Sequence, residues 1–449
     1  MPLTISRILH AGYVFNCDGV SIAFDPIFES PFSTNCHSFP AVRFDRGLIS
    51  QLHFDAVFIS HFHDDHCSFD SLTLLPRATP IRLFCVFPEL AEWISALGFV
   101  DVRPLVLGVP VTVGPFEVIP TRALDADVDS IFQIKAAGLN VLNVVDSWID
   151  DDTLDDLAEY APWDLVLWPF QTMRELEVIA PSRAAPAPGT LPPEWLDQLR
   201  ALRPRGVVPS SCQFEMEPWS WYNHAFFPIT YEQFAREVTA ALDGVQIVRL
   251  DPSRSVRFDG ATLAEAPSLP WVAPIGEQDV DYDYRPDLPP PSTAEIARHF
   301  GALTDPQRER VLHFCRSDLL DQYEALDTPE SPYFRKARRW RLTLCDGDDS
   351  IHFEYIVHRG HIYRNDEHRG TLAWTTEIPM ARLLGALESG EQLTSLYIRI
   401  NDAVFEPEIE EALAEVDVVA DPLIRTLYDG VFGAYQSAQL QRLLRRLGP

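Results

Sequence analysis

The feature that most constrains this chain is an apolar strand pattern that runs straight into a cluster of metal-ligating residues. Ala56-Val-Phe-Ile59 is an unbroken apolar run, the pattern of a strand covered on both faces inside an α/β sheet. Directly after it stand His61, His63, Asp64, Asp65 and His66, three histidines and two carboxylates within six residues. A strand ending this way delivers ligands into a loop at its carboxyl end. His61 and His63 are two apart and face the same way if the strand continues, so they can share one ion. Asp65 and His66 lie past the strand end and can turn toward a second. Imidazole together with carboxylate suits zinc, iron or manganese. A polar loop that merely happens to be rich in histidine explains neither the order nor the placement.

Composition narrows the partners. The 449 residues are enough for two domains with their own cores. The net charge of -30, from 66 acidic and 36 basic residues, argues against nucleic acid or an anionic membrane as main partner. The seven cysteines, Cys17, Cys36, Cys67, Cys85, Cys212, Cys315 and Cys345, are odd in number and form no Cys-x-x-Cys. A disulfide framework or a cysteine zinc site is therefore not expected, and a reducing cytoplasm fits. The first residues lead into a strand without signal-peptide architecture, and no apolar run reaches membrane-spanning length. The expectation is a cytoplasmic protein without membrane insertion; a homo-oligomer is left open.

Along the chain, short strands alternate with helices from residue 3 to about 258, which reads as a layered α/β sandwich. The Pro- and Ala-rich stretch 181–193 reads as a lid or a plain linker. Residues 262–292, with Pro286 and Pro289-Pro-Pro291, read as extended linker between a metal domain (1–261) and an accessory domain (293–449). In the accessory part, helices, three strands, a strand–helix–strand unit and further helices read as α+β. Trp374 to Ile400 resembles small sterol-carrier-like lipid-binding modules; a structural or dimerising domain is the plainer alternative.

The metal loop resembles the signature of the metallo-β-lactamase superfamily. Leu9-His10-Ala11-Gly12 and Val20-Ser-Ile-Ala-Phe-Asp25-Pro26 are similar to its opening hairpin, and Val141-Leu-Asn-Val-Val-Asp146 to a later strand that ends in the metal-bridging aspartate. Ser60 to Leu72, Leu139 to Ser147 and Ser395-Leu-Tyr-Ile-Arg-Ile400 resemble the non-Rieske part of CMP-N-acetylneuraminate hydroxylase. The resemblance implies an α/β fold: an αββα sandwich followed by the smaller α+β domain. It also implies a ligand set. One ion takes His61, His63 and a residue from the loop after a strand at 116–121. Hydrolases place a histidine there, but this chain has none between His66 and His224. Asp125 matches best, Asp127 is next, Asp129 is read as loop support, and water is the remaining alternative. The second ion takes Asp65, His66 and His224, with Asp146 between the two. His10 resembles a histidine that orients a ligand.

Two chemistries follow. With zinc, such a site generates hydroxide and hydrolyses a lactone, ester or phosphodiester. With iron, it can activate dioxygen. Oxygen-activating relatives use a carboxylate in the third position, so the resemblance favours two irons, with zinc or manganese open. The expected activity is hydroxylation of a small or carrier-bound organic molecule. The Ala-, Arg-, Asp- and Pro-rich, lysine-poor composition suggests a bacterial biosynthetic pathway. Asp65 and Asp146 are the expected catalytic carboxylates. No Cys-x-His…Cys-x-x-His motif is present, so electrons are expected from an external reductase or ferredoxin. A binding protein with a vestigial metal site is the third class.

Overall fold

Hairpins on one side and crossovers on the other build the first sheet. The computed structural model describes residues 2–125, 127–259 and 262–447. Thr4–Leu9 pairs antiparallel with Gly12–Cys17, which pairs antiparallel with Val20–Phe24. From there the sheet continues in parallel through Ala56–Ile59, Ile81–Leu83 and Val102–Pro104. On the other edge, Ser255–Asp259 pairs with Thr4–Leu9 and carries Thr262–Ala266 outside it. The second sheet starts as an antiparallel meander of Val111–Val113, Phe116–Arg122, Ser130–Ala136 and Leu139–Asn143. It continues in parallel through Leu165–Pro169, Gly206–Ser210 and Gln246–Ile247.

The burial patterns follow these positions. Ala56–Ile59, Leu165–Pro169 and Gly206–Ser210 are buried throughout, hence their unbroken apolar sequences, whereas Phe116–Arg122 alternates. The two sheets meet face to face. Phe24 and Phe58 of the first lie 5.0 and 6.2 Å, ring centre to ring centre, from Phe132 of the second. Each such side chain contributes roughly 1.5–3 kcal/mol by leaving water. Helices lie outside and bury one face each: Glu89–Ala96 through Leu90 and Ile94, Pro193–Leu202 through Trp195, Leu199 and Leu202, and Tyr231–Ala241 through Tyr231, Phe234 and Val238.

The chain divides into two compact units, and the division differs from the sequence reading. The first comprises Met1–Met173, Ala187–Arg285 and Gln439–Pro449; the second comprises Arg174–Pro186 and Pro286–Ala438. The stretch expected as linker is largely built into the first unit. Thr262–Ala266 is an edge strand of the first sheet, and Val272–Pro274 pairs with Val42–Phe44. Pro274 is tolerated because Val272–Pro274 belongs to a two-stranded sheet and needs only one row of backbone donors. Of the stretch 181–193, expected as a lid or linker, residues up to Pro186 group with the second unit together with Arg174–Ala180, and the rest with the first. The helix Ala434–Leu447 begins in one unit and ends in the other.

The second unit is a five-stranded sheet with helices. Arg338–Asp346 stands in the middle, antiparallel to Asp349–His358 and parallel to Leu372–Pro379; His361–Arg364 and Arg399–Ile400 form the edges. Ser292 and Glu295, then Thr304 and Gln307, form capping boxes that start its first two helices. One turn, Phe314–Asp318, is a π-helix, and the buried Tyr355 hydroxyl donates to the Cys315 carbonyl there at 2.5 Å. A buried polar chain links Trp340 Nε1 to Thr376 Oγ1 (2.8 Å), and both the Thr376 hydroxyl and Trp374 Nε1 (2.6 Å) to Asp421 Oδ2. Among the described residues, no helix is long and apolar enough to cross a membrane.

Candidate metal centre

The candidate centre lies where strands of both sheets end. After Ile59 the chain passes Ser60 and His61, and the backbone then folds into a turn in which His66 N and Cys67 N both donate to the His63 carbonyl (3.1 and 2.8 Å). Ser68 caps the one-turn helix that follows. His10 sits between the first two strands, Asp129 immediately before Ser130–Ala136, and Asp146 just beyond Leu139–Asn143.

Two sets of donor atoms converge, His61 with His63 and Asp129, and His10 with Asp65, His66 and Asp146. In the first, His61 Nε2 is 2.9 Å from His63 Nδ1 and 3.7 Å from Asp129 Oδ1. In the second, His66 Nε2 is 3.0 Å from Asp146 Oδ2, 3.3 Å from His10 Nε2 and 3.8 Å from Asp65 Oδ1, and His10 Nε2 is 3.1 Å from Asp65 Oδ2. Donors about 2.1 Å from a tetrahedral ion stand about 3.4 Å from one another. The observed spacings bracket that value. The sets adjoin, with the His61 and His66 rings 4.0 Å apart.

Two buried oxygens, Asp129 Oδ1 and Asp146 Oδ1, have no hydrogen-bond partner. An uncompensated buried carboxylate oxygen is costly, and a cation bound between the sets would supply the missing partner. The other atoms of these ligands are held. Ser147 donates to Asp129 Oδ2 at 2.6 Å, so Oδ1 is the oxygen left to face the histidines. The fully buried Asp25 accepts from Ser60 N and Ser60 Oγ, both 2.7 Å, and engages His66 Nδ1 at 3.0 Å. Ser60 Oγ in turn touches His61 Nδ1 at 2.9 Å. One carboxylate thus orients a ligand of each set, directly or through a hydroxyl. The buried Arg7 guanidinium donates to the His10 carbonyl.

The backbone is strained where it presents these groups. His10, Asp25 and Val145 have φ of 51°, 40° and 63°. For a β-branched residue such as Val145 this costs on the order of 1–3 kcal/mol. It turns the chain sharply between a buried strand and Asp146. Asn143 Oδ1 braces the turn by accepting from Val145 N at 3.1 Å.

The electrostatics match the donor set. Burial works against charge on His66 and His10, but Asp146 and Asp65 outweigh it and raise both imidazoles above their ordinary value. Burial and the neighbouring His66 and His63 hold His61 well below it. Burial, with the charge of Asp146 beside it, pushes the Asp129 carboxyl up to about 6. Negative charge is thus in excess at this point, and a divalent cation relieves it.

Two sequence-predicted ligands are not brought to the centre. Asp125 is exposed near the tip of the hairpin between Phe116–Arg122 and Ser130–Ala136, and so is Asp127. The backbone folds back there, with Val128 N and Asp129 N donating to the Asp125 carbonyl, so that Asp129, at the base of the strand, faces the histidines. His224 ends a 3-10 turn with its side chain 39% exposed and Nδ1 donating to the Asp283 carbonyl at 2.9 Å. Ser211 and Cys212 follow the strand after which a histidine was sought. His10, expected to orient a ligand, supplies the fourth donor of the second set instead. His61, His63, Asp65, His66 and Asp146 stand together as the loop pattern implies.

Two mixed sheets face to face, helices outside, and a His-x-His-x-Asp-His loop at the strand ends now stand together. This is the metallo-β-lactamase fold, and the chain carries a further sheet-containing unit. No protein-family model and no curated protein sequence matches the chain. Similar solved structures include Igni18, a metallo hydrolase of Ignicoccus hospitalis (19% identical, TM-score 0.41, covering 58% of this chain and 100% of that one). CmlA, a diiron β-hydroxylase of Streptomyces venezuelae, is 17% identical with a TM-score of 0.41; the match spans 57% of this chain and about half, 54%, of that one. YhfI, a metallo-β-lactamase-fold protein of Bacillus subtilis, is 12% identical (TM-score 0.36, 56% and 98%).

Proposed function

We propose that this chain is a dinuclear metal-dependent enzyme that uses iron to hydroxylate a carbon of a small or carrier-bound organic substrate. The observation that carries the reading is Asp129 beside His61 and His63. Two histidines and one carboxylate with open positions form the ligand set of non-haem iron oxygenases. The second set, two histidines and two carboxylates, has the same oxygen-rich character. Three carboxylates against two divalent ions leave a net charge of plus one, enough to hold one anionic ligand.

The residues of the chain would hold and shield the centre. His61, His63 and Asp129 would bind one ion, and His10, Asp65 and His66 the other, with Asp146 shared. Phe32 and Phe214 pack against His10, and Phe62 against His63, keeping bulk water from the ligands' outer faces. Bound iron supplies oxygen activation. Hydroxylation consumes dioxygen, two electrons and two protons, placing one oxygen atom in the C–H bond and releasing the other as water. All seven cysteines are free and no redox Cys-x-x-Cys exists, so a separate reductase or ferredoxin supplies the electrons.

The test is dioxygen uptake by chemically reduced, iron-loaded protein, followed with an oxygen electrode, together with metal content after purification without added metal. About two irons per chain and an uptake abolished by His61→Ala are expected. Two zinc ions that survive dialysis, with cleavage of a lactone or phosphodiester panel under strict anaerobiosis, would replace this reading by hydrolysis.

A further inference from the structure

Ser68-Phe-Asp-Ser-Leu72 continues the metal loop, yet none of its residues enters either donor set. It forms a helix of a single turn, too short to hold itself. Ser68 caps it from inside, accepting from Ser71 N. Further contacts come from distant sequence. The Ser68 and Ser71 hydroxyls both donate to the Glu29 carboxylate, and Ser71 Oγ accepts from Phe28 N at 2.9 Å.

A further anchor is Gln439, 370 residues from Phe69 and 1% exposed. Its Oε1 accepts from Phe69 N at 2.7 Å, and its Nε2 donates to Ser68 Oγ and Asp70 Oδ2, both at 3.2 Å. Phe69 N is one of the first-turn donors that a helix cannot satisfy internally. One amide thus closes the helix start and grips its capping hydroxyl. Arg442, one turn further on, pairs with Asp70 at the surface.

The grip lies two residues from a ligand. The turn that begins at the His63 carbonyl closes at His66 and Cys67, and Cys67 is bonded directly to Ser68, so the placement of Ser68 bears on that of His66. His61 is placed independently by the strand, and Asp129 by the other sheet. We propose that Gln439 is a positioning residue for the His66 half of the dinuclear centre, holding the helix after the metal loop so that His66 stays aligned between Asp25 and Asp146. This rests on the metal reading above.

The experiment is a chelator-competition titration of cobalt(II) into the full-length chain, which resolves the two ions. The variants are Gln439→Met, which keeps the side chain's length and loses both hydrogen-bonding groups, Gln439→Ala, and Arg442→Ala as a control on the same helix. Gln439→Met and Gln439→Ala are expected to weaken one ion on the order of tenfold and leave the other unchanged, as outer partners of metal ligands do. Arg442→Ala is expected to leave both unchanged. If neither folds, Gln439→Glu, which keeps the acceptor for Phe69 N but loses the amide donor, is expected to show the same selective weakening. Wild-type affinity at both sites, or equal weakening of both, overturns the positioning role whatever happens to the melting temperature. Failure of the wild-type chain to take up two ions, or wild-type binding by His66→Ala, would instead remove the metal reading.

Discussion

Asp25→Asn isolates one atom's worth of chemistry. Asparagine matches aspartate in shape and tolerates the positive φ of 40° found there, so the backbone is undisturbed. The carbonyl oxygen can still accept from Ser60 N, which is 2.7 Å from Asp25 Oδ1. The other oxygen, which accepts from Ser60 Oγ and engages His66 Nδ1, becomes an amide donor. It then offers a proton to His66 Nδ1 instead of accepting one. The neutral imidazole is driven to the tautomer protonated at Nε2, the nitrogen that faces Asp146 and His10. A protonated Nε2 cannot bind metal, so the loss should reach or exceed the 10- to 100-fold typical of outer-partner changes, roughly 1.4–2.7 kcal/mol. His61, which Asp25 reaches only through Ser60, should lose far less. The assay is the cobalt titration with site-resolved absorbance, alongside circular dichroism of the metal-free protein. A variant that folds normally and binds both ions as tightly as wild type would refute the claim that Asp25 sets the His66 tautomer.

Other outcomes follow from the same structure. Asp129→Ala and His10→Ala should each cost one ion by metal analysis, whereas Asp125→Ala and His224→Ala should retain both, because these two side chains face solvent. Metal affinity should rise with pH through neutrality and then level off. His66 and His10 are held above their usual 6.5, so protons compete with the metal until the pH passes those raised values, as proton release on metal addition in weak buffer would report. In the second unit, Asp421→Ala should lower stability by roughly 3–5 kcal/mol in denaturant melts, since it orphans the Trp374 and Thr376 donors and removes a helix cap. Burial pushes the Asp421 carboxyl up to about 6, so its titration favours the fold fully below about pH 3.8 and loses that contribution as pH rises through 6. Asp421→Asn should flatten that slope.

The parts of the fold legible in the sequence are those written by local pattern. The apolar run at Ala56–Ile59, the four candidate ligands that follow it (His61, His63, Asp65 and His66) and the turn to Asp146 are neighbours in sequence or lie at strand ends, where period and position suffice. Asp129 was harder. Counting from the strand 116–121 favours Asp125, and only the pairing of Arg122 with Ser130 shows that 123–129 is a hairpin loop whose base faces the site. The sequence marks His10 as a supporting residue; that its Nε2 comes within 3.3 Å of His66 Nε2 depends on a positive φ at a hairpin turn, which sequence does not encode for histidine. The edge strand Thr262–Ala266 is not legible because its short Thr-Leu-Ala-Glu-Ala run has few β-formers and adjoins the proline-rich residues that follow.

The helix that ends in the first unit has a consequence for how the protein is made. Phe69 leaves the ribosome about 370 residues before Gln439 does. At 5–20 residues per second that interval is on the order of 20–70 s. Throughout it, a nascent chain already carries His61, His63, Asp65 and His66 while the amide that closes the Ser68 turn has not been synthesised. On the proposed reading, metal that arrives during translation would meet an unfinished loop, which the helix carrying Gln439 then completes.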